Sequence, residues 1–172
     1  MKFAFVFPGQ GSQSVGMMKE YADFPVVRET FAEASDILGQ DFWAMVNDGP
    51  ANDLNLTLNT QPLMLMAGIA VYRAWESLDG AEPDFMAGHS LGEYSALVAS
   101  GALAFADALP LVRFRAEAMQ QAVPEGTGGM AAILGLDDDT VRAVCAEVVN
   151  TANGESLEPA NFNAPGQVVI AG

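Results

Sequence analysis

The sequence predicts an α/β protein in two parts, and three patterns carry that reading. The continuous apolar run Phe3 to Phe7 reads as a parallel-type strand, and Pro83 to Gly88 as a second short strand. The second run passes through a tight turn directly into a helix pattern. Past a glycine-rich linker at 123–129, the order becomes strand, helix, strand, strand.

Taken in order, Phe3 to Phe7 reads as a buried strand stopped by Pro8-Gly9, and Gly9 to Gln13 as a polar, glycine-punctuated loop. Pro25 to Leu38 reads as an amphipathic helix, with proline at its start and Gly39 after its end. Thr60 to Leu78 is a long apolar helix closed by Asp79-Gly80, and its Met64 and Met66 read as core. Gly92 to Ser100 is a helix stopped by Gly101, and a further helix runs from about Ala106 to Gln121. Pro110 keeps the start of that last helix from lying much earlier. Met130 to Leu134 reads as a strand, and Asp137 to Asn150 as a helix with acids in its first turn, where the helix dipole favours them. Pro159 to Phe162, a turn at Asn163 to Gly166 and the strand Gln167 to Ile170 complete the first part of a ferredoxin-like unit. The expected division is a large part over 1–123 and a small, incomplete one over 124–172.

Charge excludes some functions. With 22 acids against 7 bases the net charge is −15, so a basic footprint for nucleic acid or anionic lipid is lacking. Cys145 is the single cysteine, too few for a disulfide framework or a zinc cluster, and it reads as a small core residue. The N-terminal apolar run is too short for a signal sequence or a membrane span, which makes the cytoplasm the expected location. No metal or redox cofactor is indicated.

The chemistry concentrates at Gly88-His89-Ser90-Leu91-Gly92. A G-x-S-x-G match between a strand and a helix is a nucleophile elbow: a strained turn lifts the serine hydroxyl clear of the sheet. The helix that follows turns its free N–H groups towards a developing oxyanion, and the Leu91 N–H is one donor. Ser90 is therefore the candidate nucleophile. A serine nucleophile needs a base within hydrogen-bond reach. His89 is the only histidine, but adjacent residues at an elbow project in different directions. It reads as an ordering residue of the turn, and no histidine follows it.

On the helix from Ala106 to Gln121, Leu109, Val112, Ala116 and Met119 form one apolar stripe. Arg113 can pair with Glu117 at i+4, as an ordinary exposed pair. Arg115 has Leu111, Val112, Ala118 and Met119 as its helical neighbours and no local acid. Its fork suits a carboxylate. Geometry alone leaves that partner open between a tertiary salt bridge and a ligand.

These segments occur in a recognisable order. Phe7-Pro8-Gly9-Gln10-Gly11-Ser12-Gln13, Thr60-Gln61-Pro62, Gly88 to Tyr94, Arg115, Gly128 to Ala132 and Asn161 to Gln167 resemble the blocks of the malonyl-CoA:acyl carrier protein transacylases of bacterial fatty-acid synthesis. The resemblance covers essentially the whole chain. It implies an α/β-hydrolase-like large subdomain carrying an inserted ferredoxin-like small one. It implies ping-pong transfer of malonyl from coenzyme A, through a Ser90 ester, to the phosphopantetheine thiol of acyl carrier protein. Gln10 and Leu91 would supply the oxyanion N–H donors, Gln61 would line the acyl pocket, and Arg115 would bind the free malonyl carboxylate. The coenzyme A thioester enters as substrate, so no cofactor is implied. The family's base histidine, with the last helix and strand of the small subdomain, belongs to a C-terminal half. The chain is accordingly expected to be a fragment with little turnover alone.

Other readings share the elbow. A serine esterase or thioesterase would have no use for a carboxylate-binding Arg115. A truncated, non-catalytic paralogue would fold without a base, and an acyltransferase domain of a polyketide synthase would carry similar blocks. Docking an acidic carrier protein would need a local basic patch, and the seven bases do not form an evident one.

Overall fold

The computed structural model describes residues 2–122, 126–149 and 156–172. It is a mixed α/β structure in two compact units, Met1–Gln120 and Gln121–Gly172. Positions 123–125 of the expected linker and Asn150, the expected end of a helix, lie outside the described residues.

In the first unit, β1 (Ala4–Phe7) pairs in parallel with β2 (Phe85–Gly88), and Phe7 stands opposite Gly88. Between them run α1 (Pro25–Leu38), α2 (Phe42–Asp48), α3 (Ala51–Asn55) and α4 (Thr57–Ser77); α5 (Gly92–Ala99) and α6 (Phe105–Gln121) follow. Helix α1 has its expected bounds: Pro25 opens it, and Gly39 closes it at φ 67° with its N–H on Ser35 O. Helix α4 is apolar all round, so it must be central. Its residues 59–67 are all buried, and with Phe31, Phe42, Leu109 and Val112 they form the main core. The two short helices α2 and α3 were not legible in the sequence. They are too short to show a period, though Phe42, Val46 and Leu54 in them are buried.

The expectation of a buried first strand needs correction. Phe7 is buried, but Val6 is 72% exposed and Ala4 is exposed. Helix α4 covers one face, where Tyr72 and Trp75 meet Phe5 edge-on. Alternate side chains of a strand point to opposite faces, and among the described residues the Val6 face has no covering layer. Beside β1 lies an apolar groove of 390 Å3 lined by Phe5, Phe7, Met17, Met64 and Tyr72 among others.

In the second unit, β3 (Met130–Leu134), α7 (Asp138–Val149), β4 (Glu158–Ala164) and β5 (Gln167–Ala171) follow in order. The strands form an antiparallel sheet in the order β3-β5-β4. Helix α7 buries Val141 and Cys145 against Val168, which bears out the core reading of the cysteine. Asp137 caps α7: its carboxylate accepts from the Thr140 N–H and hydroxyl, each at 2.8 Å. The Thr140 backbone bond, then its hydroxyl, holds that carboxyl below the usual range.

Candidate active site

The site is built at the carboxyl ends of β1 and β2. That is where open parallel sheets place their ligand crevices. Ser90 follows β2 in the left-handed region at φ 53°, which costs a non-glycine residue about 1–3 kcal/mol. The turn is closed by the Gly92 N–H donating to His89 O at 2.9 Å and by the His89 N–H donating to Phe7 O at 3.2 Å.

The two glycines of the motif are required by contact. A Cβ on Gly88 would overlap the backbone of Gly92 and Glu93. A Cβ on Gly92 would overlap the Phe7 carbonyl and lie 3.0 Å from Pro8 O. On the facing loop, a Cβ on Gly9 would come within 2.7 Å of His89 O. The elbow and the loop after β1 therefore touch backbone to backbone. That packing sets the loop carrying Gln10 against the elbow at Gly9 and His89. Neither the Gln10 nor the Leu91 N–H donates to a hydrogen bond among the described residues, so both remain available as donors. The Gln10 side chain is tied to Thr57 Oγ1 at 3.2 Å.

Arg115 reaches the serine from α6. Its Nη2 donates to Ser90 Oγ at 3.0 Å and its Nη1 to Gln61 Oε1 at 2.5 Å. Its guanidinium also stands 5.9 Å from the Tyr94 ring centroid. Gln61 is fully buried, and its Nε2 lies 3.3 Å from Met119 Sδ. The partners of Arg115 are all neutral. Among the described residues the ion pair found is Arg73 with Glu33 at 2.8 Å, so a structural salt bridge does not occupy Arg115. A guanidinium has five N–H donors, and these two bonds leave most of them for a further acceptor.

Two readings of α6 change. Arg113 does not pair with Glu117; it turns inward, with Nη1 on Leu58 O and Nη2 on Gln40 Oε1, both at 2.8 Å. A half-buried carbonyl and amide outbid a solvated carboxylate because an unmet buried acceptor costs more than an exposed ion pair returns. Met119, expected in the buried stripe, is 46% exposed while touching Gln61. Sequence reasoning also missed Tyr94 as a neighbour of Arg115, which no local pattern signals. Ser90 Oγ accepts a hydrogen bond from Arg115 Nη2.

The order of these parts can be set against known proteins. Residues 4–172 match the family model described as an acyl transferase domain. The chain belongs to the acyl transferase domain family. Within it, the chain is 59% identical over 172 residues to the malonyl CoA-acyl carrier protein transacylase of Salmonella typhimurium and 49% to that of Bacillus subtilis. In each case 99% of the chain is aligned, and it spans 55% and 53% of those relatives' length. The crystal structure of an acyl-carrier-protein S-malonyltransferase from Burkholderia pseudomallei superposes with a TM-score of 0.94 at 70% identity, over 99% of this chain and 55% of that one. A malonyl-transacylase solved in complex with its type II PKS acyl-carrier protein gives 0.94 at 54% identity, over 100% and 55%. Among the described residues no helix is long and apolar enough to cross a membrane.

Proposed function

We propose that this acyl transferase chain carries the nucleophile and the acyl pocket of a malonyl-CoA:acyl carrier protein transacylase of fatty-acid synthesis, acting in the cytoplasm. The observation that carries the reading is the Arg115 guanidinium. It has no acidic partner among the described residues and bonds both Ser90 Oγ and the buried Gln61. Malonyl is an acyl group with its own carboxylate. A fixed, part-buried cation beside the nucleophile selects it over acetyl, since an unmatched charge there is costly.

In this mechanism Ser90 Oγ attacks the malonyl thioester carbonyl. The carbonyl oxygen becomes an oxyanion held by the Gln10 and Leu91 N–H groups. Collapse breaks the carbon–sulfur bond, expels the coenzyme A thiol and leaves malonyl as a Ser90 ester. The phosphopantetheine thiol of acyl carrier protein then attacks that ester and regenerates Ser90. Arg115 holds the distal carboxylate throughout, and Gln61 fixes Arg115. The Ser90 proton needs an acceptor other than His89, and the family resemblance assigns it to a histidine downstream. No metal takes part in this scheme.

The finer fold description follows the same reading. A parallel β1–β2 pair with the elbow after β2 supports an α/β-hydrolase-like large subdomain. The β3-β5-β4 order with α7 against β4 and β5 supports a ferredoxin-like small subdomain. Their division near residue 123 is supported by the compact units meeting at Gln120 and Gln121.

Intact-protein mass spectrometry after incubation with malonyl-CoA tests the proposal. One malonyl group should be added to the protein and none to its Ser90→Ala variant. Labelling that persists without Ser90, or equal labelling by acetyl-CoA, would count against it.

A further inference from the structure

Pro62 sits inside α4, directly after Gln61. A proline within a helix has no N–H to give, and its ring pushes away the carbonyl of residue i−4. That carbonyl belongs to Leu58. It is half-buried, and a buried acceptor of this kind must find another donor. The donor is Arg113 Nη1 from α6, at 2.8 Å.

The same guanidinium is held on its other side. Nη2 donates to Gln40 Oε1 at 2.8 Å, and Nη1 lies 3.5 Å from Asn59 Oδ1. Gln40 Nε2 in turn donates to Asn59 Oδ1 at 3.2 Å, and Asn59 Nδ2 to Asp53 O at 2.9 Å. The first turn of α4 is thus tied to α3, to the residue after Gly39, and to α6. One turn further along, Gln61 meets Arg115, two residues beyond Arg113 on α6.

We infer that Arg113 is a positioning residue for the acyl pocket: it supplies the hydrogen bond that Pro62 denies to Leu58 O, and so holds Gln61 where Arg115 can meet it. Without it, the Leu58 carbonyl is unsatisfied, the first turn of α4 shifts towards water, and Gln61 leaves Arg115 free to swing. The inference rests on the proposed malonyl transfer, because its consequence is a loss of acyl selectivity.

The test measures malonyl and acetyl transfer from coenzyme A to acyl carrier protein in the full-length protein. Arg113→Met should lower kcat/KM for malonyl about tenfold relative to acetyl, chiefly through KM, as expected for losing a charged donor to a buried acceptor. Pro62→Ala, which puts an N–H back at residue 62, should restore most of the ratio in the Arg113→Met background. Arg113→Lys keeps the charge and stem but not the fork, and should lower the ratio about threefold; it reads the same effect should Arg113→Met not fold. A protein with no malonyl preference before substitution would overturn the proposed function and this inference together. Equal losses on both acyl groups, an unchanged ratio in Arg113→Lys, or no rescue by Pro62→Ala would overturn the inference alone.

Discussion

Arg113 and Arg115 stand two residues apart on one helix, both half-buried, and do opposite things with the same group. Arg113 is held by a backbone carbonyl and two amide oxygens, all of them groups of neighbouring helices and their connections. Arg115 holds one amide oxygen and one exposed hydroxyl, with no acid in reach among the described residues. Burial does not separate a structural arginine from a binding one. The partners do: Arg113 is anchored on the backbone carbonyl of Leu58 and on side-chain amides, whereas Arg115 stands beside the exposed hydroxyl of Ser90, where a carboxylate can reach it.

That contrast can be broken by substitution. The largest effect is expected for Arg115→Ala, which should reduce malonyl transfer at least about 100-fold, the order expected for losing one side of a desolvated charge pair. Acetyl transfer should be retained or raised. The unfolding midpoint should barely move; a large drop in stability would mean Arg115 is a structural residue like its neighbour.

Arg113→Ala should behave the other way in stability. Leaving the Leu58 carbonyl and the Gln40 and Asn59 amides without their donor should cost about 2 kcal/mol, read by urea unfolding. An effect below about 0.5 kcal/mol would show that water replaces the guanidinium.

A third arginine sharpens the comparison. Arg73 pairs with Glu33 at 2.8 Å, both partly exposed, and also donates to Thr30 Oγ1. Glu33→Gln should therefore cost no more than about 0.5 kcal/mol, and its small effect should shrink further in high salt.

The smallest effect belongs to the second unit, at the cap of α7. The carboxyl of Asp137 is held low by the Thr140 N–H and hydroxyl. Its folded value lies below its unfolded one, so its stabilisation is present above the usual carboxylate range and lost as pH falls through the folded value. Asp137→Ala should lower the unfolding midpoint near neutrality, and the difference should shrink as pH falls through the folded carboxyl's lowered value. A difference undiminished in acid would mean the residue acts by something other than its charge.

Legibility in the sequence followed the range of the forces involved. The elbow was readable because part of its requirement is local: Gly88 and Gly92 are four residues apart, and a Cβ on Gly88 would overlap the Gly92 backbone. Helix α1 was readable because proline and glycine punctuate it. The fate of Arg113 was not, since an i+4 acid is visible in sequence while the Leu58 carbonyl, orphaned by a proline on another helix, is not. The exposure of Val6 was missed for a similar reason: an apolar run reports preference, not whether a layer covers it.

The sequence by itself determined where the backbone must turn, which helices are central and which serine is lifted from the sheet. These depend on steric limits and hydrophobic periods within a few residues. Only the tertiary structure decided which arginine is consumed by the fold and which is left beside Ser90. That depends on acceptors some fifty residues away, and a guanidinium goes to whichever of them would otherwise be buried unmet.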